Sequence, residues 1–129
     1  MARLLEEFIK EQLELPFIWG KTDCCSTCDA WSRRYTGFSP MTRFNSQYSS
    51  RGEAMEILER PGGIAVAVNR AMREFPKTKT PQIGDIGLCI FGEKIFPAIK
   101  TENGWFSRGE EGFVMAPDFW KAWDLCLKH

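Results

Sequence analysis

The chain has a single histidine, His129, at the end of the sequence. Imidazole is the commonest metal ligand and the commonest general base, so one histidine leaves little material for either chemistry. A structural zinc site needs four ligands, usually in two separated pairs. Only Cys24, Cys25 and Cys28 cluster, whereas Cys89 and Cys126 stand alone; no metal and no cofactor is expected. Net charge is also lacking: 17 Lys and Arg balance 17 Asp and Glu. No overall field therefore recruits nucleic acid or an anionic membrane. Apolar runs are short, Ile64 to Val68 being typical, which argues against a membrane span. Glutamates interrupt the apolar pattern of MARLLEEFIKEQLEL, so it does not read as a secretory signal, and reduced cysteines made in the cytosol are expected. An odd count of five cysteines argues against a disulfide framework. Internal repeats and low-complexity segments are missing.

What is present reads as one domain over 1–129, with a helical half at about 1–75 and a β-rich half at about 84–127. Folding a chain of this size buries about 65–70% of its unfolded surface, enough for a core without staples. Residues 3–14 place Leu4, Leu5, Phe8, Ile9 and Leu13 on one helical face, and Pro16 closes that helix. Asp23 is a candidate N-cap for a helix through Tyr35, ended by Gly37 and Pro40. The segment SPMTRFNSQYSS reads as irregular. Helices are expected again at about 52–59 and at 64–74, the latter packing Ile64, Val66, Ala67, Val68 and Met72. From Pro76 the texture changes. Short β-like runs at 86–91, 94–100, 104–107 and 112–115 alternate with glycine turns, and Gly84-Asp85 sets the turn into the first. The tail could supply a last strand at 122–127 or a short helix. Helices first and strands second indicate an α+β fold with helices packed on an antiparallel sheet.

The stretch PFIWGKTDCCSTCDAW carries the chemistry. A thiol in the first turn of a helix meets free backbone N–H groups and the positive end of the helix dipole, which favour the thiolate. Cys24 follows the expected cap Asp23, and its own N–H could contribute to an oxyanion hole. Trp19 and Gly20 are candidates for a cleft wall. The alternative is that Cys24, Cys28 and Trp31 form only the buried stripe of a core helix, with Cys25 on a neighbouring face.

The motif P-F-x-W-G-x-x-D-C before a helix, with PQIGDIGLCIF, ENGWFSRGEEGFVMAP and a late AW, resembles the NlpC-type papain-like cysteine peptidases. The whole ordered set is most similar to a small family encoded in phage and prophage tail gene clusters. The resemblance spans about residues 12–125. It implies a papain-like core, Cys24 in the nucleophile's position, and a histidine base on the second strand. Here that histidine is missing, and aligning Ala98-Ile99 on the family pattern puts Phe96 in its place. Phe17 likewise stands where members carry a tyrosine. A nucleophile without its base loses orders of magnitude in rate.

The expectation is therefore a structural tail-tip component with degenerate or weak catalysis, made in a bacterial host cytoplasm and carried in the virion tail. Its partners would be other tail-tip or baseplate proteins. The alternatives are an active endopeptidase or amidase acting on peptidoglycan and, third, a cysteine-ligated metal protein. Phe119, Trp120 and Trp123, with the first helix, are the candidate partner contacts.

Overall fold

The computed structural model describes residues 2–44, 48–59 and 62–125. These form an α+β fold. Helices α1 (Ala2–Glu14), α2 (Cys24–Thr36), α3 (Arg51–Glu59) and α4 (Ile64–Ala71) precede strands β1 (Ile86–Phe91), β2 (Lys94–Thr101), β3 (Gly104–Gly109), β4 (Gly112–Ala116) and β5 (Lys121–Trp123). The strands make one antiparallel sheet in the order β4-β3-β2-β1-β5. The segment expected to be irregular contains a 3-10 turn at Pro40–Phe44. Of the tail, only Lys121–Trp123 is strand; Cys126 and His129 lie outside the described residues.

The sheet has two unlike faces. Ile86, Leu88, Ile99 and Phe106 point toward the helices and meet Leu5, Phe8, Cys28, Trp31, Val68 and Met72 in the main core. Trp31 is its centre: fully buried, stacked on Tyr35 at 5.2 Å, and donating its indole N–H to the Gly84 carbonyl at 2.8 Å. The opposite face is built of small residues (Cys89, Ala98, Ala116, Ala122) under the rings of Trp105 and Phe119. Gly87 shows how close that packing is. A Cβ there would lie 2.7 Å from the Lys121 carbonyl oxygen and 2.8 Å from the Trp105 ring.

Two expected stripes shift. On α1 the buried residues are Leu5, Phe8 and Gln12, while Leu13 is 52% exposed, because position 13 lies about 100° round the helix from position 12. On α4, Val66 is exposed whereas Ala67, Val68 and Met72 are buried, and the helix stops at Ala71 rather than continuing to 74. A turn closed by Phe75 N–H to the Met72 carbonyl at 2.9 Å swings Phe75 into the core instead.

The last turn of α1 has no basic residue of its own, yet its free carbonyls favour a cation. Arg108 supplies one from β3. Its guanidinium donates to the carbonyls of Gln12 and Leu15 and lies 4.7 Å from the Phe113 ring centroid. Arg108→Leu removes the donor to the Leu15 carbonyl and one of the donors to the Gln12 carbonyl, which also accepts from the Leu15 N–H at 3.2 Å, and empties a buried site, at a cost of about 2 kcal/mol. Thermal unfolding followed by circular dichroism is expected to show a melting temperature about 6–8 °C lower; an unchanged melting temperature would show the contact contributes nothing.

Candidate thiol site at the start of α2

Cys24 is the first residue of α2, and Asp23 is its N-cap, with extended backbone and a side chain that accepts from the Ser26 N–H. This cap is also the hub of the site. Asp23 is 2% exposed, and its carboxyl oxygens accept from Gly20 N–H (2.6 Å), Ser26 N–H (2.9 Å), Ser26 Oγ (3.2 Å) and the Tyr48 hydroxyl (2.9 Å). A buried carboxyl is tolerated only when its lone pairs are filled, and here donors from three segments fill them.

The loop before it is closed by its own bonds. Thr22 Oγ1 accepts from the Ile18 N–H at 2.7 Å and donates to the Pro16 carbonyl at 2.8 Å. Gly20 takes φ +84°, and a Cβ there would lie 2.0 Å from the Tyr48 carbonyl oxygen. Only glycine permits that approach. Trp19 leans edge-on against Phe17 (5.0 Å) and donates its indole N–H to Glu110 at 3.3 Å. Trp19, Gly20, Lys21, Tyr48 and Glu53 thus line an open cleft of about 630 Å³.

The three clustered thiols are unequal. Cys24 and Cys25 are half-buried and Cys28 is buried. A hydrogen bond from its S–H to Cys24, and then burial, push the Cys25 thiol up. Burial first, then the neighbouring Cys24, holds the Cys28 thiol up as well. Cys89 sits on the far face of the sheet, pushed by burial to about 12, so it cannot join the helix thiols. Among the described residues no group of three or more His, Cys, Asp and Glu is placed to hold a metal ion.

The structure shows which way the β2 residues around the expected base position turn. Phe96 shares the far face with Cys89 and Ala98. The β2 residue that turns toward Cys25, Cys28 and Tyr48 is its neighbour Pro97. Side chains alternate across a strand, so a one-residue difference in alignment changes the face. Proline also interrupts the ladder: β2 pairs with β3 only from Ile99 to Thr101, and beyond it the Ser107 hydroxyl takes the Pro97 carbonyl at 2.8 Å.

Of the three aromatic partner-contact candidates, only Trp120 is open to solvent, 48% exposed with the Lys121 ammonium 4.8 Å from its ring; on the first helix Leu13 is exposed as well. Trp123 is core at 1%, paired opposite Ile86, and Phe119 is half-buried against Trp105. Trp123 lies within β5 and is carried into the core by its pairing, whereas Phe119 and Trp120 precede the strand. Tyr48 and the exposed Ile90–Ile95 cross-strand pair were not singled out from the sequence. Nothing local marks a tyrosine in a polar segment as the partner of a carboxyl 25 residues away.

The fold and site thus define an α+β domain with a thiol at a capped helix N-terminus, beside a cleft and without an imidazole among the described residues. The chain belongs to the family described as "Domain of unknown function (DUF6950)", whose model matches residues 1–125. No curated protein and no solved structure matches it.

The buried thiols contribute to the alkaline stability. Cys25, Cys28 and Cys89 bind their protons more tightly folded than at the ordinary thiol value of 9.0. Their contribution is fully present below about pH 9 and is lost as pH rises from there toward 12. Urea midpoints at about pH 8 and about pH 10.5 should therefore fall more for wild type than for Cys28→Ala. Equal losses in the two proteins would place the alkaline sensitivity elsewhere.

Proposed function

We propose that the protein is a structural component of a phage or prophage tail module, built on a papain-like core whose hydrolytic chemistry has been lost. The observation that carries this reading is that β2 offers no base: Phe96, where the resemblance calls for a histidine, lies on the far face, and the β2 residue turned toward Cys25 and Cys28 is Pro97. Proline has no side-chain nitrogen, so nothing there takes the thiol proton or delivers one to a leaving group. A positioned general base contributes about 10²–10⁴-fold to such reactions. The capped loop, the cleft and α2 remain, which is what a retained shape requires. On this reading the partners are other tail-tip or baseplate proteins, and the protein is made in the bacterial host cytoplasm before it joins the virion.

One observation favours the rival reading, a cysteine endopeptidase or amidase acting on peptidoglycan. Cys24 sits at the first position of a capped helix, accepts a hydrogen bond from Cys25 and is only half-buried. The two readings separate on turnover. Purified protein given peptidoglycan stem peptides is expected to release no more product than Cys24→Ala does. Release by wild type that Cys24→Ala abolishes would establish the hydrolase instead.

The structural role has its own test. With no net charge, docking relies on apolar burial, and a stable contact covers at least about 1,000 Å² around one or two aromatic anchors. Trp120 is the exposed candidate. Trp120→Ala should weaken co-assembly with the neighbouring tail proteins by about tenfold or more while the melting temperature of the isolated domain holds. Wild-type protein that stays monomeric with every tail protein offered would defeat the structural reading.

A further inference from the structure

Beside the cleft lies a second, partly open pocket of about 60 Å³, bordered by α2, α3, α4 and β2. Its walls are nearly all apolar, among them Ala54, Ile57, Val68, Met72 and Pro97. The polar groups on its rim are already committed. Asp29 accepts from Ser39 Oγ (2.7 Å), from the Met41 N–H (2.9 Å) and from Arg33 (3.3 Å). The Tyr48 hydroxyl is spent on Asp23. Few polar groups are left there to hold an ordered water, and an apolar lining of this kind favours apolar guests.

Met41 and Tyr48 line both this chamber and the open cleft, so they form the partition between the two. Tyr48 is fixed at both ends, its backbone against Gly20 and its hydroxyl on Asp23. Met41 is held only by its backbone N–H, and its unbranched thioether can change rotamer at little cost. The partition therefore has one rigid half and one movable half. Outside it the cleft presents one ammonium, Lys21, and one carboxylate, Glu53. These balance, so no local field selects a charged head group.

We infer that chamber and cleft form one binding site for a small neutral amphiphile, its unbranched alkyl or acyl tail passing Met41 into the chamber and its uncharged head resting in the cleft. A volume of about 60 Å³ lies between the about 10–15 Å³ that seats one water and the about 150 Å³ that holds benzene, which suits a tail of about three or four carbons. The site does not depend on Cys24 being reactive or on the protein belonging to a tail.

Methionine methyl resonances report on it directly. Met41 and Met72 line the chamber, whereas Met55 and Met115 are exposed elsewhere. In protein labelled with [methyl-13C]methionine, titration with butan-1-ol is expected to shift Met41 and Met72 saturably, with a midpoint on the order of 10 mM, and to leave Met55 and Met115 in place. Sodium butanoate and butylammonium should bind at least about fivefold more weakly. Ala54→Leu fills the chamber and should raise the butanol midpoint about tenfold or more; Val68→Ile is the smaller filler should the first variant not fold. Linear, non-saturating shifts of similar size at Met41, Met55, Met72 and Met115 would overturn the site. So would saturable binding that the filled, folded variant leaves unchanged. A charged comparator that binds more tightly than butanol would overturn the neutral head.

Discussion

The buried carboxyl of Asp23 is the contact on which the site depends. A carboxyl this deep survives only if each lone pair meets a donor, and the donors come from the loop at Gly20, the first turn of α2 and the far segment at Tyr48. Filling those bonds therefore fixes three pieces of chain at one point. Cys24 follows as the first helical residue, with its place set by its neighbour's bonds. Removing one donor leaves the remaining groups in place but exposes a buried lone pair, which costs more than the bond itself contributes. That asymmetry explains how a 25-residue connection can be held by a single hydroxyl.

The sheet makes the second division. Its helix-facing side carries bulky aliphatic and aromatic residues, while its far side is small enough for the Trp105 ring to lie against Gly87. The division sends Cys89 and Phe96 away from the thiols of α2 and turns Pro97 toward them. In the proposed reading Cys24 would be half of a hydrolytic pair, and Pro97 has no group that could complete it. The burial that raises Cys25 and Cys28 keeps them as thiols, so the cluster does not supply its own base either. On the proposed reading, such a site keeps the form of a nucleophile's seat without the proton transfer that turnover needs.

Much of the architecture was legible in the order of residues. The Asp23 cap, the Gly37 stop, the helix periodicity of α1 and the glycine-punctuated strands are short-range signals, set by backbone N–H groups, φ preference and side-chain spacing within a few residues. They place Cys24 at the head of a helix and order the helices before the sheet. Asp85 was read as a turn residue, and in the structure its carboxyl holds the Gln82 and Leu125 N–H groups at 2.8 and 3.0 Å.

What tertiary structure alone decided is which faces those elements turn to one another. Strand register put Pro97 rather than Phe96 toward the cysteines, and it put Trp123 in the core while Trp120 stayed outside. Arg108 reached the carbonyl end of α1 across more than 90 residues of sequence, and Tyr48 reached Asp23 from a segment without periodicity. Local propensity acts over one turn of helix or one pair of strand residues. Hydrogen-bond closure and core packing act between segments that meet only after the chain has folded, so no window of sequence contains both partners.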